Sequence, residues 1–304
     1  MANIVIASAA RTAMGSFGGV FTDAPAHVLG ASILEAVVER ASIEKSKVSE
    51  TTLGQVLTAD QGQSPARQAH INAGLPIELA TWSINQVCGS SLRAVALGAQ
   101  HIQLGDADII AAGDQENMTL APHVAQLRSG TKMGDIKYLD SMIHDGLWDA
   151  FNQYHMGRTV ENVASQYGIS RDAQDEFALT SQNKAEAAQK SRHFIKAISP
   201  FTVKSHKGDI IIELDGYIRH GATIESMQKM QPAFFGDGGS VTAANASGIN
   251  DGAAAVLLTT VKRAEERDIK PLARIASYAT VGLDPSIMGV GPIFASCKAL
   301  AKAS

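Results

Sequence analysis

Apolar positions recur along the chain at two spacings, and their order predicts the elements. The run in "NIVIASAA" predicts a strand. In "APAHVLGASILEAVVERA", Val28, Leu29, Ile33, Ala36, Val37 and Ala41 recur at helical spacing, and "TTLGQVLTA" is strand-like again. "LATWSINQV" has the length and residue types of a buried strand. Directly after it, Leu92, Val95, Ala96 and Ala99 fall on one face of a helix that begins near Ser90, with Ser90 or Ser91 placed to cap it. "ADIIAAGD" is another continuous apolar strand. Strand, helix, strand, helix, strand predicts an α/β layered sheet with parallel strands.

From about Met118 the composition changes. Residues 119–248 carry irregular stretches broken by glycine and charge, such as "RSGTKMGD" and "DGLWDAFNQYHMG", and read as an insertion. Inside it, "SRDAQDEFALTSQNKAEAAQKSR" predicts a helix capped by Ser170, with Asp172, Asp175 and Glu176 near its start and Lys190 and Arg192 at or past its end, a charge run that reads as a solvated face. "GDIIIEL" and "AAAVLL" predict strands. A helix end, Pro271 and a strand over 272–280 follow, and "GPIFASCKALAKA" opens a helix with Pro292 in its first turn. That strand and helix would begin a second lobe.

Composition narrows the classes. The 304 residues are 45% hydrophobic, enough for a large core in two or more lobes. A net charge of -4 excludes a general basic field, so neither a nucleic acid nor a membrane is expected as partner, and any anionic ligand must be met locally. No apolar run approaches the roughly 20 residues of a membrane span. Cys88 and Cys297 are the only cysteines, too few for a disulfide framework or a cysteine-rich metal site, which points to a reducing compartment with the cytoplasm as default. "MANIVIASAAR" lacks a basic n-region and reads as a first strand, not a signal peptide.

The chemistry concentrates in "NQVCGSSLRAVALG". Strand, tight turn and helix meet at Cys88, where free N–H groups and the helix dipole favour a thiolate over a thiol. That is the logic of a nucleophile elbow with sulfur in place of oxygen, although G-x-S-x-G is absent at this turn. A small buried apolar cysteine is the competing reading. "GDGGS" lacks the strand–loop–helix setting of a phosphate loop and reads as a flexible turn.

"NQVCGSSLRAVALG", "YHMGRTVENVA", "YIRHGATIESM", "QPAFF", "VTAANASGINDGAAA" and "LDPSIMGVGP" together span nearly the whole chain, and in this order it resembles the biosynthetic branch of the thiolase family. The resemblance implies a thiolase-like layered α/β fold: an N-terminal domain over 1–118 plus 249–270, an inserted loop domain over 119–248 and the start of a C-terminal domain over 271–304. It also implies an acyltransferase that condenses two acetyl-CoA into acetoacetyl-CoA, or runs the reverse thiolysis, through an acyl thioester on Cys88. Arg219 and Ser226 would contact the nucleotide and phosphate end of coenzyme A, which fits the need for a local cation. Ala243 and Ser247 would hold the pantetheine arm, Leu147 and Phe234 would line its tunnel, His155 would lie along its path, and Met156 and Met288 would close a short acyl pocket. Taken without the resemblance, Arg219 is a surface arginine, His155 a packed histidine and Ser247 a turn residue. No cofactor beyond the coenzyme A thioester substrate is implied.

Departures from the family pattern shape the rest of the expectation. The family continues with an NEAF-type segment, a GHPxGxSG segment and a CxGGG segment, which hold an activating histidine, a second cysteine and half of each oxyanion hole. None lies in these 304 residues, and Cys297 on its helix does not replace the second cysteine. The expectation is therefore a strongly impaired catalyst, with a non-catalytic coenzyme A-binding remnant or one part of a split thiolase as the alternative. A separate C-terminal fragment is one expected partner. A homo-oligomer is another, because "RSGTKMGDIKYLDSM" resembles the family's tetramer-forming loop. Asp114 stands where the family pattern has glycine, a side chain expected to crowd the Cys88 turn or place a negative charge there.

Overall fold

Small and apolar side chains at strand spacing gather around one mixed sheet in the computed structural model, which describes residues 3–204 and 208–303. The chain forms two units. The first comprises Met1–Gly146, Ile195–Gly216 and Asn250–Ile275, and the second Leu147–Phe194, Tyr217–Ile249 and Ala276–Ser304.

In the first unit the sheet runs in the order β13 (Ala273–Arg274), β1 (Ile4–Arg11), β12 (Asn250–Thr260), β5 (Ile110–Asn117), β3 (Glu50–Gly54), β4 (Ala80–Ile84), with the short β2 (Gly15–Ser16) paired to β12. The expected parallel pairing holds for β3 with β4 and with β5, whose connections run through α2 (Pro65–Asn72) and α3 (Ser90–Leu104). The parallel run is interrupted by β12, which lies antiparallel between β1 and β5. This strand returns from far along the sequence and not through a crossover helix, so no rule of βαβ handedness fixes its direction.

Alternate residues of β5 face the two helical layers. A Cβ on Gly30 of α1 (Ala26–Arg40) would overlap the Gln115 side chain, and one on Gly98 of α3 would come within 3.7 Å of Ala112. With both faces covered, Leu29, Ile33, Leu34, Leu53, Ile109, Ile110, Leu257 and Leu258 are fully buried. The β10 (Phe201–Val203) and β11 (Ile210–Ile212) hairpin, the β6 (His123–Val124) and β7 (Leu139–Asp140) pair and α7 (Val261–Glu266) complete the unit.

Two expectations need correction. β4 is not a buried strand: it pairs only with β3, and as the sheet edge it leaves Trp82 51% exposed. The strand expected over 272–280 contracts to Ala273–Arg274, because only Val5 and Ile6 offer it a ladder.

His70, fully buried in α2, has Nδ1 bonded to Thr51 Oγ1 at 2.9 Å and Nε2 to the Pro76 carbonyl at 2.8 Å. The carbonyl requires an N–H at Nε2, so the neutral ring accepts the Thr51 hydroxyl at Nδ1. Burial pushes its pKa below the usual 6.5. The unfolded chain therefore takes up the proton first as pH falls, and the folded state loses stability below about pH 6.5, by at most about 1.4 kcal/mol per pH unit. Urea midpoints of wild type and His70→Gln, measured from about pH 8 down to about pH 5, are expected to converge as pH drops. A constant difference would show that the ring does not titrate in this window.

In the second unit, α4 (Gly157–Tyr167) and α5 (Arg171–Lys190) accompany α6 (Ile224–Gln228), α8 (Gly291–Ala303) and the β8 (Trp148–Asp149) and β9 (Tyr154–His155) hairpin. Ser170 caps α5 as expected, accepting from the Ala173 N–H at 3.2 Å. The face of α5 is not wholly solvated, however: Asp175 is fully buried and accepts from Arg171 Nε at 2.7 Å and Asn245 Nδ2 at 2.8 Å. A turn at Pro285–Val290 is tied to α4 through Asn162 Nδ2, which donates to the Ser286 carbonyl at 2.9 Å. Among the described residues, no helix is long and apolar enough to cross a membrane.

Candidate active site

In the first unit, β4 ends at Ile84 and α3 begins at Ser90, leaving five residues to reverse the chain. Val87 takes φ +48°, a costly conformation for a β-branched residue, which the surrounding hydrogen bonds hold in place. The Ser90 hydroxyl donates to the Val87 carbonyl at 2.6 Å and accepts the Gln86 N–H at 2.8 Å, while the Val87 N–H donates to Asn85 Oδ1 at 2.9 Å. Neither Ser90 nor Ser91 is the N-cap; that position is Gly89, and the Ser90 hydroxyl laces the turn instead.

Cys88 sits inside this lacing, one residue before the cap, and is exposed. The buried-cysteine reading therefore fails, and the thiol stands at the positive end of a 15-residue helix.

Asp114 lies where it was expected, against this turn. A Cβ on Gly54 would overlap Asp114 Oδ2 and approach Ser90 Cβ to 2.6 Å, so the bare glycine is the gap in which carboxyl and turn meet. Burial pushes the Asp114 carboxyl up to about 7. Burial does the same to Glu116, two residues along the same strand, also to about 7 and with the Asp114 charge adding to it, although Glu116 Oε2 accepts the Val56 N–H at 2.8 Å.

The second unit holds the other candidate residues. His155 and Phe234 stack with ring centroids 4.7 Å apart and planes 17° from parallel. The Gly157 N–H donates to His155 Nδ1 at 3.0 Å, so Nε2 carries the ring proton of the neutral form, and burial lowers the His155 pKa. The Met156 N–H donates to the Leu147 carbonyl at 2.8 Å and Met156 is the N-cap of α4. Met288 belongs to the turn that Asn162 ties to the same helix. Leu147, His155, Met156 and Phe234 thus share one neighbourhood.

Arg219 is placed separately by three contacts: its backbone N–H donates to Gln182 Oε1 at 2.9 Å, Nη2 donates to the Ala243 carbonyl at 3.0 Å, and the guanidinium lies 5.8 Å from the Tyr217 ring. Ser226 is exposed, and its hydroxyl is engaged in the capping box of α6, donating to the Thr223 carbonyl at 2.7 Å. Ser247 is exposed in the turn after Asn245.

The residues that fix the 240–247 turn escaped the sequence reading. Glu161 of α4 accepts the Ser240 N–H and hydroxyl and the Val241 N–H, within 3.0 Å each, so the end of "GDGGS" is pinned and not a free turn. Asn245 donates to the Ser240 carbonyl at 2.9 Å and accepts the Thr242 N–H at 2.8 Å while bound to Asp175. The one sequence signal was the i, i+4 spacing of Arg171 and Asp175.

The family described as "Thiolase, N-terminal domain" matches residues 4–262. An acetyl-CoA acetyltransferase of Paracoccus denitrificans is 64% identical over 303 residues, covering all of this chain and 77% of that protein. The cytosolic acetyl-CoA acetyltransferase of Rattus norvegicus is 52% identical over 301 residues, 99% of this chain and 76% of its own length. The crystal structure of the Bacillus anthracis acetyl-CoA acetyltransferase superposes with a TM-score of 0.97 at 36% identity, over all of this chain and 77% of that one.

Proposed function

We propose, because this chain belongs to the thiolase family, that it transfers acetyl groups between coenzyme A thioesters by way of an acyl thioester on Cys88. The observation that carries this reading is the exposed thiol at the N-terminal end of α3, held in a strained turn that Ser90 laces. The thiolate attacks the thioester carbonyl, the new C–S bond forms as the coenzyme A thiolate leaves, and the free N–H groups at the helix start face developing negative charge.

In this reading Arg219 and Ser226 bind the nucleotide and phosphate end of coenzyme A, Ala243 and Ser247 the pantetheine arm, and His155 with Phe234 and Leu147 the walls of its path. Met156 and Met288 limit the acyl chain. Burial lowers the His155 pKa, and in this reading the ring lies along the pantetheine path and not in a proton relay. The coenzyme A thioester is the substrate, no further cofactor is required, and the cytoplasm supplies the reducing conditions the thiol needs.

The test is the intact mass of the protein before and after acetyl-CoA, with fragmentation to locate the adduct. An acetyl group on the peptide holding Cys88 is expected. An unchanged mass under conditions where iodoacetamide labels Cys88 would refute the reading.

The His155–Phe234 wall makes a further prediction. A Cβ on Gly157 would overlap the Phe234 ring, so Gly157→Ala must rotate Phe234 out of the stack. Losing the aromatic pair is expected to lower stability by about 0.5–1.5 kcal/mol, and the displaced wall is expected to raise the Kd for coenzyme A by calorimetry. Unchanged affinity would remove Phe234 from the binding path.

A further inference from the structure

We propose that Asp114 is a positioning residue of the Cys88 turn whose ionisation slows the reactions of the Cys88 thiol. The inference rests on the reading of Cys88 as the nucleophile, and its own ground is the packing beneath that residue. Asp114 pairs in register with Gly54 of β3 on one side and Ala254 of β12 on the other. Its carboxyl reaches into the space left by Gly54 and meets Ser90, the residue whose hydroxyl holds both Gln86 and Val87. A charge at this point lies beside Ser90, two residues after the thiol.

The groups facing Asp114 do not neutralise it. β3 contributes Gly54, β12 contributes Ala254 and α3 contributes Ser90, none of them titratable. Arg93, in the first turn of α3, is no source of compensation, since burial is the cause acting on Asp114. Glu116 is the titratable neighbour on the same strand; the Asp114 charge raises it, and Glu116 Oε1 is buried without a hydrogen-bond partner. Burial drives the Asp114 carboxyl toward neutrality, up to about 7. When Asp114 gives up its proton, the negative charge beside Ser90 opposes the thiolate, which is the reactive form of cysteine.

The experiment is the rate of Cys88 alkylation by iodoacetamide, read by intact mass in a Cys297→Ser background, from about pH 6 to about pH 10. Asp114→Asn mimics the protonated carboxyl at nearly the same volume. It is expected to react at the parent rate below about pH 6.5 and roughly three- to tenfold faster near pH 8, where the parent carries the charge, with the ratio closing again toward about pH 10, where the thiol is ionised in both. Glu116→Gln leaves Asp114 and the burial that acts on it in place, so its profile is expected to follow the parent's. A ratio that is the same at every pH would reveal a merely structural effect, and identical rates would reveal none; either overturns the inference. Should Asp114→Asn not fold, Asp114→Ser, which also removes the charge, takes its place, and a profile superposing on the parent's overturns the inference. Acetyl-CoA is offered in parallel: absence of a Cys88 adduct in all variants, with the alkylation shift present, would refute the acyl-enzyme reading and not the electrostatic one.

Discussion

Cys88→Ala is expected to abolish formation of the acetyl adduct with acetyl-CoA, because no other group on the turn is poised to form the covalent intermediate. The turn itself does not depend on the thiol. Its geometry is set by the Ser90 hydroxyl, the Asn85 side chain and the cap at Gly89, none of which the substitution touches. Coenzyme A affinity is therefore expected to stay within about twofold while the adduct disappears, the pattern of a lost reactive group and not of lost binding. Cys88→Ser separates nucleophilicity from shape: a hydroxyl occupies the same position but is scarcely ionised at neutral pH, so an adduct rate close to that of alanine is expected. Full acetylation of Cys88→Ala at another residue would move the nucleophile elsewhere.

Periodicity made the scaffold of this turn legible, and neighbours determined the rest. β1, α1, α3, β5 and β12 follow from apolar spacing because each has a face, or two, against the same core. β4 has the composition of an interior strand, yet composition does not reveal how many ladders a strand receives, and β4 receives one. The serines after Cys88 were legible as helix-start residues, but whether a hydroxyl caps forward or laces backward depends on where the chain reverses, here at a left-handed valine that propensity disfavours. Asp114 was legible as a departure from the family pattern, whereas its burial depends on Gly54 of the neighbouring β3 and Ser90 of α3 closing around it. The coenzyme A residues came from resemblance alone, since Arg219, Ser226 and Ser247 are scattered over 29 positions and share no periodicity.

Asp175 shows how a charge that belongs to a solvated pattern becomes structural, and its removal should have the largest effect on stability in the second unit. Its carboxylate holds Arg171 Nε at 2.7 Å and Asn245 Nδ2 at 2.8 Å with no exposure of its own. Asp175→Ala leaves the Arg171 guanidinium with only the Met227 and Met230 carbonyls, at 2.8 and 3.1 Å, and deprives Asn245 of its anchor on α5. Breaking one partner from a buried pair costs about 3–5 kcal/mol, and because Arg171 keeps 22% exposure the lower figure applies. Asn245 also ties Thr242 and Ser240, so the same substitution frees the turn that carries Ala243 and Ser247. The two losses should appear together, as a lower urea midpoint for the second unit and a weaker Kd for coenzyme A. Asp175→Asn, which can still accept from Asn245 but presents an amide to Arg171, should fall between. A stability change of less than about 1 kcal/mol would instead place Arg171 and Asp175 with ordinary surface ion pairs. If stability fell as expected while coenzyme A bound unchanged, the 240–247 turn would be scaffold only, and the pantetheine arm would have to be held by other residues.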